Sequence, residues 1–316
     1  MKQETRVAKA GGPGAISTDR ANAYSPRPAP CPHHADAGRS FREAILAAGM
    51  QPPEVIEAGK VHRFPGAGKW PSNRAGWCLL FAGERAGVLG CWASGWSIIW
   101  RADGRQLTNS EHQQAAEAKR RAKRERAEAQ RQAAERAARI LRSAKPAHSA
   151  HPYLRRKCIA PHCARQSGPR LVLPIVTWDG EISSAQFIGP EGDKRMLTGG
   201  RKRGRFIPVH GERAARRIVI AEGFATAATL AETEPDALIL AALDAGNLEP
   251  VAVEARRRHP NVEIIIAADA DAVGIRKARA AALASGGLVA VPEFPPGAEG
   301  SDFNDLAALQ RHGGVA

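Results

Sequence analysis

The chain has 316 residues, 43% of them hydrophobic, with 46 Lys+Arg against 32 Asp+Glu and a net charge of +14. That is too much apolar sequence for a disordered polyelectrolyte, and the cationic excess points to a polyanionic partner, either nucleic acid or a membrane surface. No long apolar span, signal-peptide core or lipidation motif is found and the five cysteines are scattered, so a cytoplasmic protein without membrane association or a disulfide framework is expected.

Residues 1–38 are rich in Pro, Ala, Gly and Ser without apolar periodicity, and a disordered tail is expected there. Residues 39–108 read as a small β-rich domain. Phe41 to Leu46 forms a short helix, and Gly76 to Phe81, Ala86 to Trp92 and Ser97 to Trp100 form strands, the first two separated by a turn at Gly83. Five of the six tryptophans lie here: Trp70, Trp77, Trp92, Trp96 and Trp100. Exposed indoles beside Arg63, Lys69, Arg74 and Arg101 would stack single-stranded bases, whereas buried ones would fill the core of a small domain. Gly66-Ala67-Gly68-Lys69-Trp70 is not a phosphate loop: Arg63 stands where a Walker A motif needs Gly, and Trp70 where it needs Ser or Thr.

Residues 109–145 are dominated by Ala, Arg, Lys, Glu and Gln, which favours helix. Between Glu111 and Ser143 there are 10 basic and 5 acidic residues, with i,i+4 pairs from Glu117 to Arg121 and Glu135 to Arg139. Few large apolar residues precede Ile140 and Leu141, so a solvated connector is expected, with DNA tracking as the alternative. Residues 146–212 form a second basic stretch. Leu171 to Trp178, the turn Asp179-Gly180 and Glu181 to Ile188 make a β-hairpin. Beyond it, Lys194, Arg195, Arg201, Lys202, Arg203 and Arg205 are interspersed with Gly199, Gly200 and Gly204. Such glycines let backbone approach phosphates that the cations neutralise; a solvated flexible loop is the competing reading.

Residues 213–316 alternate apolar runs with helical segments. The run Arg217 to Ala221 ends at Glu222-Gly223, and Glu263 to Ala268 ends at Asp269-Ala270-Asp271. In an open parallel sheet, ligands collect beyond the carboxyl ends of the strands, so Glu222, Asp269 and Asp271 are expected to share one crevice. Asp302 and Asp305 supply a further acidic pair, although either could instead cap the last helix, Phe303 to about Gln310. Asp244 ends another apolar run and could line the crevice or serve a turn. Clustered carboxylates repel unless a cation lies between them, and hard oxygen donors favour Mg²⁺ or Mn²⁺. No zinc site is expected: Cys31, His33 and His34 make at best half a site, and His151, Cys158, His162 and Cys163 a loose cluster. From Arg213 onward the chain holds 10 basic and 14 acidic residues, leaving a net +18 before it. The distribution fits a basic platform feeding an acidic site.

Glu222-Gly223, then Asp269-Ala270-Asp271 with Gly274 and Ala278, then Ser301-Asp302-Phe303-Asn304-Asp305-Leu306, resemble the Toprim domain of primases, topoisomerases and some nucleases. Many cellular primases carry Asp four residues after the glutamate; here that position is Thr226, and the motifs look like primases of phages and mobile plasmids. The resemblance implies an α/β protein: a C-terminal Toprim domain (213–316), Rossmann-like with a mainly parallel sheet and flanking helices, preceded by a basic α+β subdomain, a long charged helix and the small N-terminal domain. It implies a primase using single-stranded DNA template and nucleoside triphosphates, with a replicative helicase on a separate chain. Asp269, Asp271 and Asp302 or Asp305 would then hold metal, and Glu222 would be general base or another ligand. The stretch 146–212 resembles the basic subdomain that cradles template and nucleotide, with Arg155, Arg156 and Lys157 near its start. A Toprim nuclease and a non-catalytic single-stranded-DNA-binding accessory protein are the alternatives. A topoisomerase needs a nucleophilic tyrosine, and only Tyr24 and Tyr153 exist.

Overall fold

The computed structural model describes residues 17–19, 40–102, 106–212 and 214–313. The described residues form two compact units that divide between residues 129 and 130, with 17–19 belonging to the second. The division falls inside one long helix. Among the described residues no helix is long and apolar enough to cross a membrane.

Part of the stretch expected to lack structure forms a strand, β1 (Ser17–Asp19); the rest of residues 1–38 lies outside the described residues. In the first unit, α1 (Phe41–Ala47) starts at Ser40, which makes a reciprocal capping box with Glu43. Four antiparallel strands follow in sequential order: β2 (Val61–Phe64), β3 (Gly76–Leu80), β4 (Ala86–Cys91) and β5 (Trp96–Arg101). Strand β2 was not apparent from sequence, because Val61-His62-Arg63-Phe64 has no clean alternation. The tryptophans divide between the two readings. Trp77 and Trp100 are core side chains, Trp92 and Trp96 are half-buried, and Trp70 is 83% exposed.

Helix α2 (Asn109–Ser143) is continuous but is not merely a solvated connector. Ala115 and Ala118 pack on Trp77, Leu79 and Val88 of the first unit, while Ala137 and Leu141 pack on Val172 and Ala185 of the second. Alanines at helical spacing make a narrow stripe that lets backbone approach a sheet closely, with little hydrophobicity to advertise it. Arg121 pairs with Glu125 and Arg131 with Glu135 along its exposed side.

The second unit continues with β6 (Lys145–Pro146), α3 (Pro152–Lys157), β7 (Arg165–Ser167), β8 (Arg170–Val176), β9 (Ile182–Ile188) and β10 (Lys194–Met196). These strands form an antiparallel sheet in the order β10-β9-β8-β7-β6. Gly180, with φ 86°, closes the β8–β9 hairpin, and the Thr177 hydroxyl accepts from the amides of Asp179 and Glu181. Next come β11 (Ile207–His210), β12 (Arg217–Ala221), α4 (Phe224–Thr233), β13 (Leu238–Ala241), a short 3₁₀ turn (Ala245–Asn247), α5 (Leu248–Arg258), β14 (Glu263–Ala267), α6 (Ala272–Ser285), β15 (Leu288–Val291) and α7 (Phe303–Gly313).

The second sheet of this unit runs β1-β15-β14-β12-β13-β11. Its four central strands are parallel; β11 and β1 flank them antiparallel. Alternate residues serve opposite faces, as the period of two requires. Val219 and Ala221 face α4 and Phe303, while Ile218 and Ile220 face α5 and α6. Strand β11 comes from the basic segment, and Leu171, Leu173 and Ile175 of the antiparallel sheet share a core with Phe224 and Phe303. The basic segment and the parallel sheet are thus built around common apolar side chains.

Candidate active site

Strand order places the site. From β12 the chain passes through α4 to β13 on one side, then through α5 back across to β14 on the other. The connections leaving β12 and β14 therefore diverge at their carboxyl ends, which is the switch-point crevice where doubly wound sheets bind ligands. The two strands are adjacent, with Ala221 level with Ala267. Glu222 follows the first and Asp269 lies two residues beyond the second, so the expected convergence is present.

Burial raises the Glu222 carboxyl above its ordinary pKa, reinforced by Asp271 and Asp302 and opposed by a hydrogen bond from the Ala245 amide and by Lys194. Asp269 is pushed further, to about 7, first by burial and then by Glu222, Asp302 and Asp271, with Lys194 opposing. Its Oδ1 is buried without a hydrogen-bond partner. Asp271 caps α6 through Oδ1, which accepts from the amides of Val273 (2.7 Å) and Gly274 (2.8 Å). Asp302 caps α7 in the same way, through the amides of Asn304 and Asp305, while its Oδ2 accepts from the Thr226 hydroxyl at 3.2 Å. Capping and membership of the acidic cluster therefore coexist in these two residues, because a carboxylate has lone pairs to spare.

Asp305 stands apart. It accepts from Lys157 Nζ at 3.2 Å and from the Ser301 amide and hydroxyl. Burial opposes ionisation, but these bonds hold its carboxyl below the usual range. Of Asp302 and Asp305, it is Asp302 that joins the other carboxylates.

Among the described residues no three His, Cys, Asp or Glu side chains are arranged to hold a metal ion as they stand. The donors nonetheless fit a hard divalent cation: all are carboxylate oxygens, Glu222 and Asp269 are raised in pKa partly by the neighbouring carboxylates, and Asp269 Oδ1 is a buried acceptor with nothing to accept. The loose cysteine and histidine cluster is dispersed. His151 caps α3 and meets the Pro169 carbonyl, Cys158 donates to the Arg155 carbonyl, His162 lies beside Glu232, and burial pushes the Cys163 thiol up to about 12. Cys31, His33 and His34 lie outside the described residues.

Lys194 is brought into the acidic crevice. Its Nζ would be 3.7 Å from a Cβ on Gly223, and it lowers the pKa of both Glu222 and Asp269. The other cations spread outward. Arg201 and Arg203 are exposed, Arg195 lies 3.7 Å from Asp193, and Lys202 is paired with Asp244. Arg205 is half-buried, and its Nε has no partner. Arg155 is exposed, Arg156 donates to the Pro190 carbonyl, and Lys157 is paired with Asp305. Tyr153 is 3% exposed and its hydroxyl is raised to about 12 by burial and Asp302, which is unsuited to nucleophilic attack; Tyr24 lies outside the described residues.

Two buried asparagines that sequence reasoning passed over organise this region. Asn304 donates to the Lys157 carbonyl and the Thr229 hydroxyl, tying α7 to α3 and α4. Asn247 reaches the carbonyls of Ala242, Lys202 and Arg205 and accepts from the Gly204 amide at 2.8 Å. The Gly-rich basic stretch is thus an ordered loop, held further by Arg136 on the Thr198 carbonyl and Ser183 on the Arg201 carbonyl. Asn247→Ala would leave several polar groups unpaired, costing roughly 2–4 kcal/mol. The expected result is a Tm lower by about 5–10 °C, with faster tryptic cleavage between Arg201 and Arg205. Unchanged cleavage there would show that Asn247 does not hold the loop.

Residues 217–313 match the Toprim domain family. Two proteins named DNA primase TraC from Escherichia coli are each 34% identical, over 86% and 85% of this chain. The chain spans 27% and 20% of their lengths. Among solved structures, the catalytic domain of DnaG primase bound to single-stranded DNA is 15% identical with a TM-score of 0.40, covering 58% of this chain and 76% of that one.

Proposed function

We propose that this chain carries the catalytic part of a DNA primase of the plasmid or phage type, a nucleotidyltransferase that makes short primers on single-stranded DNA from nucleoside triphosphates. The observation that carries the reading is the meeting of Glu222, Asp269, Asp271 and Asp302 at the switch point between β12 and β14, with Lys194 beside them. The identity to DNA primases named TraC, which extends well beyond the Toprim region, supports the same reading.

Asp269, Asp271 and Asp302 would hold divalent cations, Mg²⁺ or Mn²⁺, which when bound supply charge neutralisation on a triphosphate and on the attacking oxygen. Asp305 is assigned instead to positioning, since it braces the start of α7 and holds Lys157. Glu222, with its raised pKa, is suited to accept a proton from an attacking 3′-hydroxyl. Lys194 would orient a triphosphate oxygen while countering the field of the carboxylates. Arg155, Arg156, Arg195, Arg201, Lys202, Arg203 and Arg205 would hold template and nucleotide phosphates. A helicase would be supplied by a separate chain, and cytoplasmic residence follows from the activity.

The test is template-dependent oligonucleotide synthesis on single-stranded DNA with Mg²⁺ or Mn²⁺, its products resolved by length. Products that require both template and cation, and that vanish in Asp271→Ala, are expected. Cleavage without polymerisation would assign the same carboxylates to a nuclease. DNA binding without incorporation under either metal would leave an accessory binding protein.

A further inference from the structure

We infer that the first unit carries its own single-stranded-DNA contact, a stacking platform formed by Trp70 with Lys69 and Arg74 on the loop between β2 and β3. Trp70 is 83% exposed, and among the described residues no other Trp, Tyr or Phe is exposed. An exposed indole keeps a broad planar apolar face available for stacking against a planar partner.

The loop is built to hold that display still. Asn73 Oδ1 accepts from the amides of Gly66 (3.1 Å) and Ala75 (2.9 Å), closing the loop at its base. The Asn73 amide donates to the Trp70 carbonyl, and the Lys69 amide to that of Gly66. Below, Arg63 donates through Nε and Nη2 to the Arg74 carbonyl, and its guanidinium lies 3.4 Å from the ring centroid of Trp92. A second indole thus clamps the arginine that clamps the loop. The backbone on either side of Trp70 is fixed, so little conformational entropy remains to be lost when the ring meets a partner.

Charge selects the partner. From Ala58 to Gly83 the chain has Lys60, Arg63, Lys69 and Arg74 and no acidic residue. Lys69 and Arg74 are exposed on the loop that holds Trp70. An exposed indole on a loop that carries a cation before it and another after it in sequence matches the base and phosphates of an unpaired nucleotide. A duplex offers no free base face, which makes the match one for single strands. This contact lies in the first unit, on different residues from the carboxylate crevice and the basic loop.

The experiment measures binding of labelled oligo(dT) to the full chain by fluorescence anisotropy in EDTA, where neither synthesis nor cleavage contributes. Trp70→Ala is expected to weaken binding about five- to 150-fold, the equivalent of roughly 1–3 kcal/mol per stacked base. Trp70→Phe should recover most of the loss, and the affinity for a duplex of equal length should change less than about twofold. Because the ring is exposed, the Tm of both variants should match that of the parent. Oligo(dT) affinity within twofold of the parent in Trp70→Ala overturns the proposal, as does an equal loss for duplex. The same holds if Trp70→Ala instead loses binding to phosphatidylserine vesicles, which would assign the loop to a lipid surface. A primase reading that fails leaves this measurement intact, because binding in EDTA is read through residues of the first unit and involves no synthesis.

Discussion

Asp269→Asn is expected to abolish primer synthesis, by roughly a thousandfold or more, while making the metal-free protein more stable at neutral pH. The two effects have one cause. Asp269 is a partly buried carboxyl with an unpaired Oδ1, surrounded by Glu222, Asp302 and Asp271, and its pKa is raised to about 7. Its neutral form is therefore the one the fold favours. The associated stability is fully present below the unfolded-state value near 4 and is lost as pH rises from about 4 through 7. With the screening due to partial exposure, the loss is ~1–2 kcal/mol, or a few degrees in Tm. Asparagine is almost the same shape and does not ionise, so its thermal unfolding in EDTA should lack that decline and its Tm should exceed the parent's by a widening margin up to pH 8. Added Mg²⁺ or Mn²⁺ should raise the parent's Tm more at pH 8 than at pH 6, because the cation competes with the proton, and should do little for the variant. The activity loss has the scale of several kcal/mol of charge stabilisation. Equal pH dependence in parent and variant would show that Asp269 is not the strained group.

The second large effect is expected from Gly274→Ala, and its sign is informative. In the first turn of a helix, replacing Gly by Ala ordinarily stabilises by up to ~1 kcal/mol through propensity alone. Here a Cβ would lie 2.7 Å from the Asp269 carbonyl oxygen and 3.1 Å from the Asp269 Cβ. Neither is the end of a flexible side chain, so α6 or the segment carrying Asp269 must shift. A net loss of roughly 1–3 kcal/mol is expected instead. The displacement falls on the most strained carboxylate of the site, and synthesis should drop by about 10- to 100-fold, the scale of a sub-ångström to 1 Å misplacement of a reacting group. Chemical denaturation together with the rate of primer synthesis checks both. A stabilised, fully active Gly274→Ala would mean that α6 has room beneath Asp269.

Asp269 also shows what could be read in advance. Asp269-Ala270-Asp271 is a local pattern, in which an apolar run ends and acidic residues occupy the turn that follows. Each element is set by neighbours a few residues away, so the order of types in the chain was sufficient to expect it. The separation of Asp302 from Asp305 was of another kind. Both lie at the start of α7, three residues apart, and both can cap. Which one faces the crevice depends on Thr226 from α4 and Lys157 from α3, partners 76 and 148 residues away in sequence. Asn247 was similarly unreadable, since asparagine after Asp244-Ala245-Gly246 reads as a turn residue until the loop from 202 to 205 is folded against it. In α2, alanines at helical spacing carry too little hydrophobicity to declare a buried stripe until two sheets are seen on them.

Composition and local order alone thus determined that the C-terminal third alternates strand and helix, that acidic side chains terminate its apolar runs, and that the cationic excess lies in the preceding residues. Each of these depends on properties a residue carries wherever it is placed, namely charge, backbone preference and hydrophobic period. The tertiary structure decided which carboxylates face one another, that Lys194 of the basic stretch lies beside them, that Ser17–Asp19 adds an edge strand to β15, and that Trp70 faces solvent while Trp77 and Trp100 do not. Those outcomes depend on distances between segments far apart in the chain, which are set by strand order and core packing and have no representation in any single stretch of residues.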